Sequence, residues 1–231
     1  MVTKQKMVLG VVILVAASAG AFMYVSRPLP PPSQTEVSDS APVDTGDVTV
    51  NKNEVTYVSD PSKTWAKFEI DETLNGKPKH VEGLTSDVSG QITLNTTNPS
   101  LSKVGTFKIN ARTLKTDEPR RDNTVGRLIL KSAEPANEFI IFEAIGLEGM
   151  PAKIAEAAEF TFKIPGKLTV AGVTKDVVFE SRAVLMNGKL MGSAETTIKY
   201  SDFGMEIPQL PFLAWVDDKV KLSINFAGVT K

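Results

Sequence analysis

The chain has no cysteine and only one histidine, His80, among its 231 residues. Disulfides, reactive thiolates and cysteine-ligated metal centres are therefore excluded, and a zinc site of the usual histidine and cysteine kind lacks its ligands. A Ser-His-Asp or Cys-His arrangement would have to rest on His80 alone. This composition argues against most hydrolytic enzymes, and we predict no catalytic residue, no metal site and no cofactor.

The chain also has no large excess of charge of either sign, because 26 basic residues are balanced by 27 acidic ones and the net charge is −1. Nucleic-acid-binding domains usually carry a basic surface, so nucleic acid is not an expected partner. His80 stands in a stretch rich in lysine and proline and is interpreted as an exposed imidazole without a function. The run Arg120-Arg121-Asp122 is interpreted as a solvated surface, with an anion-binding site as the alternative.

A long apolar run lies near the N-terminus, at residues 7–25, after a short basic head. This arrangement is typical of an export signal. The small residues at 17–19 favour cleavage as a signal peptide, whereas the apolar continuation to Val25 approaches the length that spans a bilayer and favours an uncut anchor. Either way we expect the folded part to lie outside the cytoplasm, held at the membrane by residues 1–26 or secreted after cleavage.

The chain after this run is predicted to divide into a linker and one folded domain. Residues 27–53 are rich in proline, serine, threonine and aspartate, which predicts a disordered spacer that does not contribute to folding. Residues 54–231 are predicted to form a single domain. The sequence predicts no oligomeric state.

Residues 159–185 carry the clearest folding signal. Apolar side chains such as Phe160 and Phe162 occupy every second position and polar ones stand between them, which indicates a strand with one dry face. The alternation breaks at Ala171-Gly172 and then resumes, so we predict a long antiparallel hairpin. Pro165 cannot donate to the ladder, and a bulge or bend is expected there.

Shorter alternating segments predict about eight antiparallel strands in an all-β sandwich or barrel. A short helix is expected to begin after Thr116 or Asp117, with Pro119 in its first turn. Residues 71–86 hold little apolar content and predict a loop. If the sheet closes on itself, the inward residues expected from strand parity are Phe68, Ile92, Leu94, Phe107, Ile109, Phe142, Phe160, Phe162, Ile164, Leu168, Val170, Phe179, Ile198, Leu222, Ile224 and Phe226.

Four stretches resemble the YceI-like family of exported bacterial proteins. They are Asn98-Pro99 together with residues 107–111, residues 114–122, residues 165–175 (PGKLTVAGVTK) and residues 201–204. The third is the most specific, and the resemblance covers residues 64–227. Two features depart from the family: its frequent histidine after the Arg-Asp pair is replaced here by Thr124 or Val125, and a proline-rich stretch at 207–211 could form a lid or rim.

The resemblance implies a single lipocalin-like barrel of eight antiparallel strands around a long apolar pore. It further implies binding, storage or transfer of a long-chain isoprenoid or a similar lipid, with the sixteen inward residues as the lipid-binding wall. The membrane, through the N-terminal helix, would be a second partner. Two alternatives stay open: a structural or stress-response envelope module with a packed pore, and an enzyme that acts on such a lipid.

Overall fold

The structure, a computed structural model, describes residues 29–32, 53–208 and 213–231, with only the backbone described at Leu213 and Ala214. The predicted N-terminal helix at 1–26 lies outside the described residues, as do most of the predicted linker and part of the stretch at 207–211. Within the described part of the chain, none of the helices has the length and apolar character needed to cross a bilayer.

The described residues form thirteen strands that pair antiparallel in one curled sheet. The strands are β1 Glu54–Ser59, β2 Trp65–Leu74, β3 Lys77–Thr85, β4 Val88–Ser89, β5 Gln91–Asn95, β6 Lys103–Val104, β7 Phe107–Asn110, β8 Phe139–Ala144, β9 Glu159–Val170, β10 Val173–Met186, β11 Lys189–Lys199, β12 Leu213–Val216 and β13 Lys219–Thr230. Their order in the sheet is β4-β7-β8-β9-β10-β11-β13-β1-β5-β6, and β2 pairs with β13, β3 and β12.

The curl of the sheet brings its ends toward each other. Strand β13 pairs with β2, and β2 pairs with β3. Strand β3 ends at Thr85, shortly before β4 begins at Val88, and β4 pairs with β7. Curling of this kind buries an apolar face while leaving few long edges.

The prediction of an all-β antiparallel fold with one short helix is confirmed, but the number of strands in the described part is larger than eight. Several long stretches of extended chain are divided into two or three strands by a few irregular residues. Strands β3, β4 and β5 follow one another from 77 to 95 with breaks only at residues 86–87 and at Gly90, and β6 and β7 are separated only by residues 105–106.

The predicted long hairpin is confirmed as β9 and β10, which pair without a register shift from Glu159 to Val170. Its turn residues, Ala171 and Gly172, both have positive φ, 49° and 80°, as a two-residue hairpin turn requires. The pairing of β9 with β10 has no bulge at Pro165, which stays opposite Val178. The irregularity expected at Pro165 lies on the other side of β9, where regular pairing with β8 ends at Ala144 opposite Gly166 and resumes one residue out of register at Glu148 opposite Lys163.

The predicted loop at 71–86 is also wrong, because this stretch holds the end of β2 and the whole of β3. Leu74 pairs with Lys77 across a turn formed by Asn75 and Gly76, whose φ angles are 50° and 75°. An Asn-Gly pair is the strongest short signal for such a hairpin. The prediction failed because the inward positions of β3 include Lys79 and Gly83, which masks the alternation of apolar and polar residues.

The helical segment is the α-helix α1, Pro119–Thr124, followed by a wider turn over Val125–Ile129. Its N-cap is Glu118, whose carboxylate accepts a hydrogen bond from the Arg120 N–H at 3.2 Å. The predicted caps, Thr116 and Asp117, lie just outside the helix. Thr116 donates from both its backbone N–H and its hydroxyl to Asp122 at 2.7 Å, which ties the preceding loop to the helix.

Aromatic rings cover several strand glycines inside the sheet. A Cβ added at Gly83 would lie 2.1 Å from the Phe68 ring, and one added at Gly166 would lie 2.5 Å from the Phe142 ring. Rings packed over glycine in this way fill the gap that the missing side chain leaves in a strand. We call these two the ring-over-glycine pairs.

Candidate binding cavity

The curled sheet surrounds a cavity of about 610 Å³. This volume falls within the range of roughly 300–1,000 Å³ that is usual for ligand pockets. The structure places all sixteen residues of the predicted inward set in the cavity wall: Phe68, Ile92, Leu94, Phe107, Ile109, Phe142, Phe160, Phe162, Ile164, Leu168, Val170, Phe179, Ile198, Leu222, Ile224 and Phe226. Their contact with a lipid stays a prediction.

The wall is mostly apolar and partly built from packed rings. Phe142 and Phe179 meet edge to face at 4.9 Å between ring centroids. Phe160 and Phe162 are stacked at 5.7 Å and remain half-buried, because they face the cavity. If side chains filled the interior, these rings would be fully buried. This face of β9 therefore borders unfilled space in the cavity.

The cavity is elongated along the strands. The inward residues of β9 run from Phe160 to Val170, which corresponds to ~33 Å at ~3.3 Å per residue. Strand tilt in a curled sheet shortens this distance along the cavity axis. The wall is therefore suited to an extended chain rather than to a compact ligand.

The two ends of the cavity differ in polarity. At one end, which we call the mouth, the end of β2, the Asn75-Gly76 turn and α1 with its N-cap contribute polar residues to the lining: Glu72, Asn75, Glu118, Arg120, Arg121 and Thr124. At the other end, the far end, the buried side chains of Tyr57, Leu94 and Leu190 are only 2–3% exposed. Two further charged residues of the lining, Lys67 and Arg182, lie on strands and pair with Glu82 and Ser193 at the surface.

An ion-pair network crosses the mouth. Arg121 Nη2 lies 2.8 Å from Glu72 Oε1, and its Nη1 contacts Asp117. Lys79 Nζ lies 2.7 Å from the same Asp117 carboxylate. The hydrogen bond from Lys79, followed by that from Arg121, holds the pKa of Asp117 below its usual value. The Arg121 guanidinium is therefore held between two carboxylates, which fixes α1 to the β2–β3 hairpin.

The Arg120-Arg121-Asp122 run thus serves three different roles, and the interpretation as a solvated surface holds only for the exposed Arg120. Arg121 is engaged in the mouth network. Asp122 is 8% exposed and accepts both hydrogen bonds from Thr116. The alternation of inward and outward residues along the strands predicted the apolar wall. It did not predict Glu72, Asn75 and Glu118, because residues distant in the sequence meet only in the folded sheet.

His80 lies on the outer surface of the β2–β3 hairpin. Its Nδ1 is 2.7 Å from Asp71 Oδ1 and its Nε2 is 3.5 Å from Glu69. The hydrogen bond to Asp71, with the negative charges of Asp71 and Glu69, raises the pKa of this imidazole. Ligand atoms of Glu69, His80 and Glu82 lie within 4.8 Å of one another, but Lys67 already contacts both carboxylates at 3.3 and 2.8 Å.

The family model for the YceI-like domain matches residues 57–227. The chain belongs to the YceI-like family. The match covers almost all of the domain described above, including every strand that contributes to the cavity wall. A comparison with curated proteins finds no matching relative.

Several solved structures share this fold. Burkholderia cenocepacia BcnA superposes with a TM-score of 0.59 at 15% identity, over 74% of this chain and 99% of that one. A polyisoprenoid binding domain from Saccharophagus degradans, implicated in plant cell wall breakdown, gives 0.58 at 11% identity, over 77% and 99%. The Campylobacter jejuni YceI protein gives 0.50 at 21% identity, over 64% and 84%. At these identities the likeness shows the fold.

Proposed function

We propose that this YceI-like domain binds a long-chain isoprenoid, or a similar apolar lipid, inside its cavity for storage or transfer. The observation that carries the proposal is the long apolar cavity, with a cluster of charged groups at the mouth. Ligand pockets for apolar molecules commonly have this layout, in which a few polar groups fix the orientation. The S. degradans relative is named as a polyisoprenoid binding domain, which supports the same class of ligand.

In this proposal the curled sheet acts as the lipocalin-like barrel that the family resemblance implies. The hydrocarbon chain lies along Phe162, Ile164 and Leu168 of β9, and the polar end of the lipid lies at the mouth near Arg120. Burial of apolar surface contributes ~25 cal/mol per Å², so covering ~200 Å² of chain would contribute about 5 kcal/mol. Because association itself costs several kcal/mol, retention during purification requires a chain that covers more of the wall than this.

The alternative of an envelope module with a packed pore is disfavoured by the cavity of about 610 Å³. We do not propose catalysis. At the mouth, Glu72, Arg121 and Asp117 are engaged with one another, whereas a general acid or base must reach the reacting group.

Mass spectrometry of an organic extract tests the proposal directly. Protein comprising residues 27–231, purified without detergent, is expected to carry close to one molecule of an isoprenoid or other long-chain lipid per chain. An extract without stoichiometric lipid, from protein that also fails to take up added polyprenol, would contradict the proposal.

A matched pair of variants tests where the lipid lies. Phe162→Asp places a carboxylate in the apolar wall, where an unpaired charge is costly, and should reduce bound lipid at least tenfold. Thr161→Asp introduces the same side chain one residue earlier, on the exposed surface opposite Arg182, and should leave lipid content unchanged. Both variants must keep the wild-type circular dichroism spectrum. Equal lipid content in both would show that the lipid does not lie along this part of β9.

We also propose that the domain works outside the cytoplasm, with residues 1–26 as an uncut anchor. The apolar run that continues to Val25 supports retention. N-terminal sequencing of protein from cell membranes should return the unprocessed N-terminus. A mature chain that begins near Gly20 would show cleavage instead.

A further inference from the structure

Residues 29–32, which belong to the predicted linker, contact the domain at two points. The end of the Leu29 side chain rests on Gly126, where an added Cβ would lie 2.6 Å from Leu29 Cδ1. The carbonyl of Pro31 accepts a hydrogen bond from Arg112 Nη1 at 3.1 Å. We call residues 29–32 the strap. The composition of residues 27–53 does not by itself predict these contacts.

The hydrogen bond from Arg112 involves a buried group. Arg112 is 8% exposed, its Nε donates to the Ser132 carbonyl at 2.7 Å, and its Nη1 lies 3.1 Å from Glu138 Oε2. A guanidinium presents five N–H donors in a fixed fork, and buried donors need acceptors. The Pro31 carbonyl provides one of these acceptors, so the strap supplies a hydrogen-bond partner to a buried charge.

The sequence of the strap favours this docked conformation. Leu29 is followed by three consecutive prolines, Pro30, Pro31 and Pro32. Proline fixes φ and biases the chain toward the extended polyproline conformation. Such a segment loses less conformational freedom on docking than a flexible one does.

Both contact points lie at the mouth. Gly126 belongs to the turn that follows α1, and its neighbours Thr124 and Val125 line the cavity. Arg112 follows β7 directly, beside the start of β8 at Glu138. The strap thus lies against the same segment that carries Arg120 and Arg121 into the cavity wall.

The first strand, by contrast, begins at the far end. In β1, Glu54 pairs with Asn95, and Tyr57 pairs with Thr230 at the end of β13. If the linker had no contact with the domain, the chain would first meet the domain at the far end. Nothing would then orient the mouth toward the proposed membrane anchor. Because the strap contacts the domain at the mouth, the chain first meets the domain there instead.

We propose that the strap holds the mouth of the cavity toward the surface of a lipid bilayer. This inference rests on the proposed function and on the proposed anchor. Only residues 26–28 lie between Val25, the end of the apolar run, and Leu29. At ~3.6 Å per residue, the four steps from Val25 to Leu29 reach at most ~14 Å. The bilayer is thus the partner surface from which the apolar chain enters the cavity or into which it leaves.

Single labels can measure this orientation, because the chain has no cysteine of its own. Lys77→Cys places a fluorophore beside the mouth, and Lys189→Cys places one at the far end; both positions are exposed and lie outside the cavity lining. The full-length chain is reconstituted in phosphatidylcholine vesicles that contain a headgroup-attached quencher. We expect the label at position 77 to be quenched at least threefold more strongly than the label at position 189.

Two variants of Leu29 show whether the strap causes the difference. Leu29→Asp removes the apolar contact with Gly126 and should reduce the difference in quenching between the two labels at least twofold. Leu29→Met keeps an apolar side chain there and should preserve the difference. Equal quenching of both labels in the parent chain, a difference that survives Leu29→Asp, or failure of the chain to float with the vesicles would each overturn the proposal.

Lipid content is measured on the same samples, so that the two proposals can fail separately. If the cavity binds lipid but the strap does not orient it, extracts contain lipid while the two labels are quenched equally. If the strap orients a domain that binds no lipid, the difference in quenching persists while the protein neither retains nor takes up polyprenol. The first result overturns the strap proposal, and the second overturns the proposed function.

Discussion

Gly166 on β9 shows how closely the wall is packed around single residues. A Cβ at this position would meet the Phe142 ring at 2.5 Å and the Glu143 carbonyl oxygen at 2.6 Å. A backbone oxygen cannot move aside without disturbing the β8–β9 ladder. Gly166→Ala should therefore destabilise the domain by ~1–3 kcal/mol through overpacking.

The control for Gly166→Ala is Gly146→Ala. Gly146 has no heavy atom within 4 Å of an added Cβ and no positive φ, so alanine there should be neutral or stabilise by up to ~1 kcal/mol. Urea unfolding of both variants gives the comparison. Equal free energies of unfolding would show that β8 and β9 are further apart than the structure places them.

The protonation of His80 can be followed by NMR without assignment of the spectrum, because it is the only histidine in the chain. Asp71 and Glu69 raise its pKa, so the NMR titration should have its midpoint above the usual value of about 6.5. A raised pKa in the folded state adds stability below the unfolded-state pKa, and this stability is lost as the pH rises through the folded-state pKa.

Substitution of His80 should therefore change the stability of the domain only at acidic pH. His80→Gln is expected to lower the melting temperature slightly at pH 5 and to leave it unchanged at pH 9. The effect is small because the ion pairs are exposed to solvent. A difference of the same size at both pH values would mean that the ring acts through packing and not through its charge.

At the residue scale, the sequence predicts the apolar wall well and the mouth poorly. A period of two assigns each side chain of a strand to one face, so Phe107 and Phe226 could be placed inward from the sequence alone. Arg121 and Glu72 could not be paired in this way. They are far apart in the chain, and only the curl of the sheet brings the β2–β3 hairpin beside α1.

At the level of elements, α1 depends on Asp122. This carboxylate is buried and accepts two hydrogen bonds of 2.7 Å from Thr116. Asp122→Ala leaves the backbone N–H of Thr116 without its acceptor and should cost about 1–3 kcal/mol. Hydrogen exchange of residues 119–130 should become faster than in the parent protein.

Asn123→Ala is the control for the loss of Asp122, since it changes the next residue of the same helix without removing these hydrogen bonds. It should leave the exchange of residues 119–130 close to that of the parent. If both variants exchange alike, the Thr116–Asp122 contact does not hold the helix in place.

Hairpins differ in how clearly the sequence predicts them. In β9–β10 the outward residues are polar and the inward ones apolar throughout, so pattern and turn agree. In β2–β3 the inward side includes Lys79 and Gly83, and the outward side carries His80 and Glu82. Phe68 covers Gly83 from the neighbouring strand, so the apolar group that fills this position is contributed by another part of the chain.

For the whole molecule, a bound lipid should raise the thermal stability by mass action. A ligand at 100 times its dissociation constant stabilises the folded state by ~2.7 kcal/mol. At about 2–4 °C per kcal/mol for a domain of this size, removal of the lipid should lower the melting temperature by ~5–10 °C. Addition of polyprenol should restore the original value.

The control for this stabilisation is the Phe162→Asp variant. Its melting temperature should not respond to added polyprenol, whereas that of Thr161→Asp should respond as the parent does. A parent protein whose melting temperature is unchanged by removal and return of lipid would show that the cavity contributes no binding energy.

The ring-over-glycine pairs also bear on how the family can diverge. Because Phe68 occupies the space above Gly83, and Phe142 the space above Gly166, neither member of a pair can change alone without a clash or a gap. A joint exchange, such as Phe68→Leu with Gly83→Ala, moves volume from one strand to the next while the hydrogen-bonded register stays intact. Related chains should therefore show these positions varying together, because each joint exchange changes the width of the cavity by a small step.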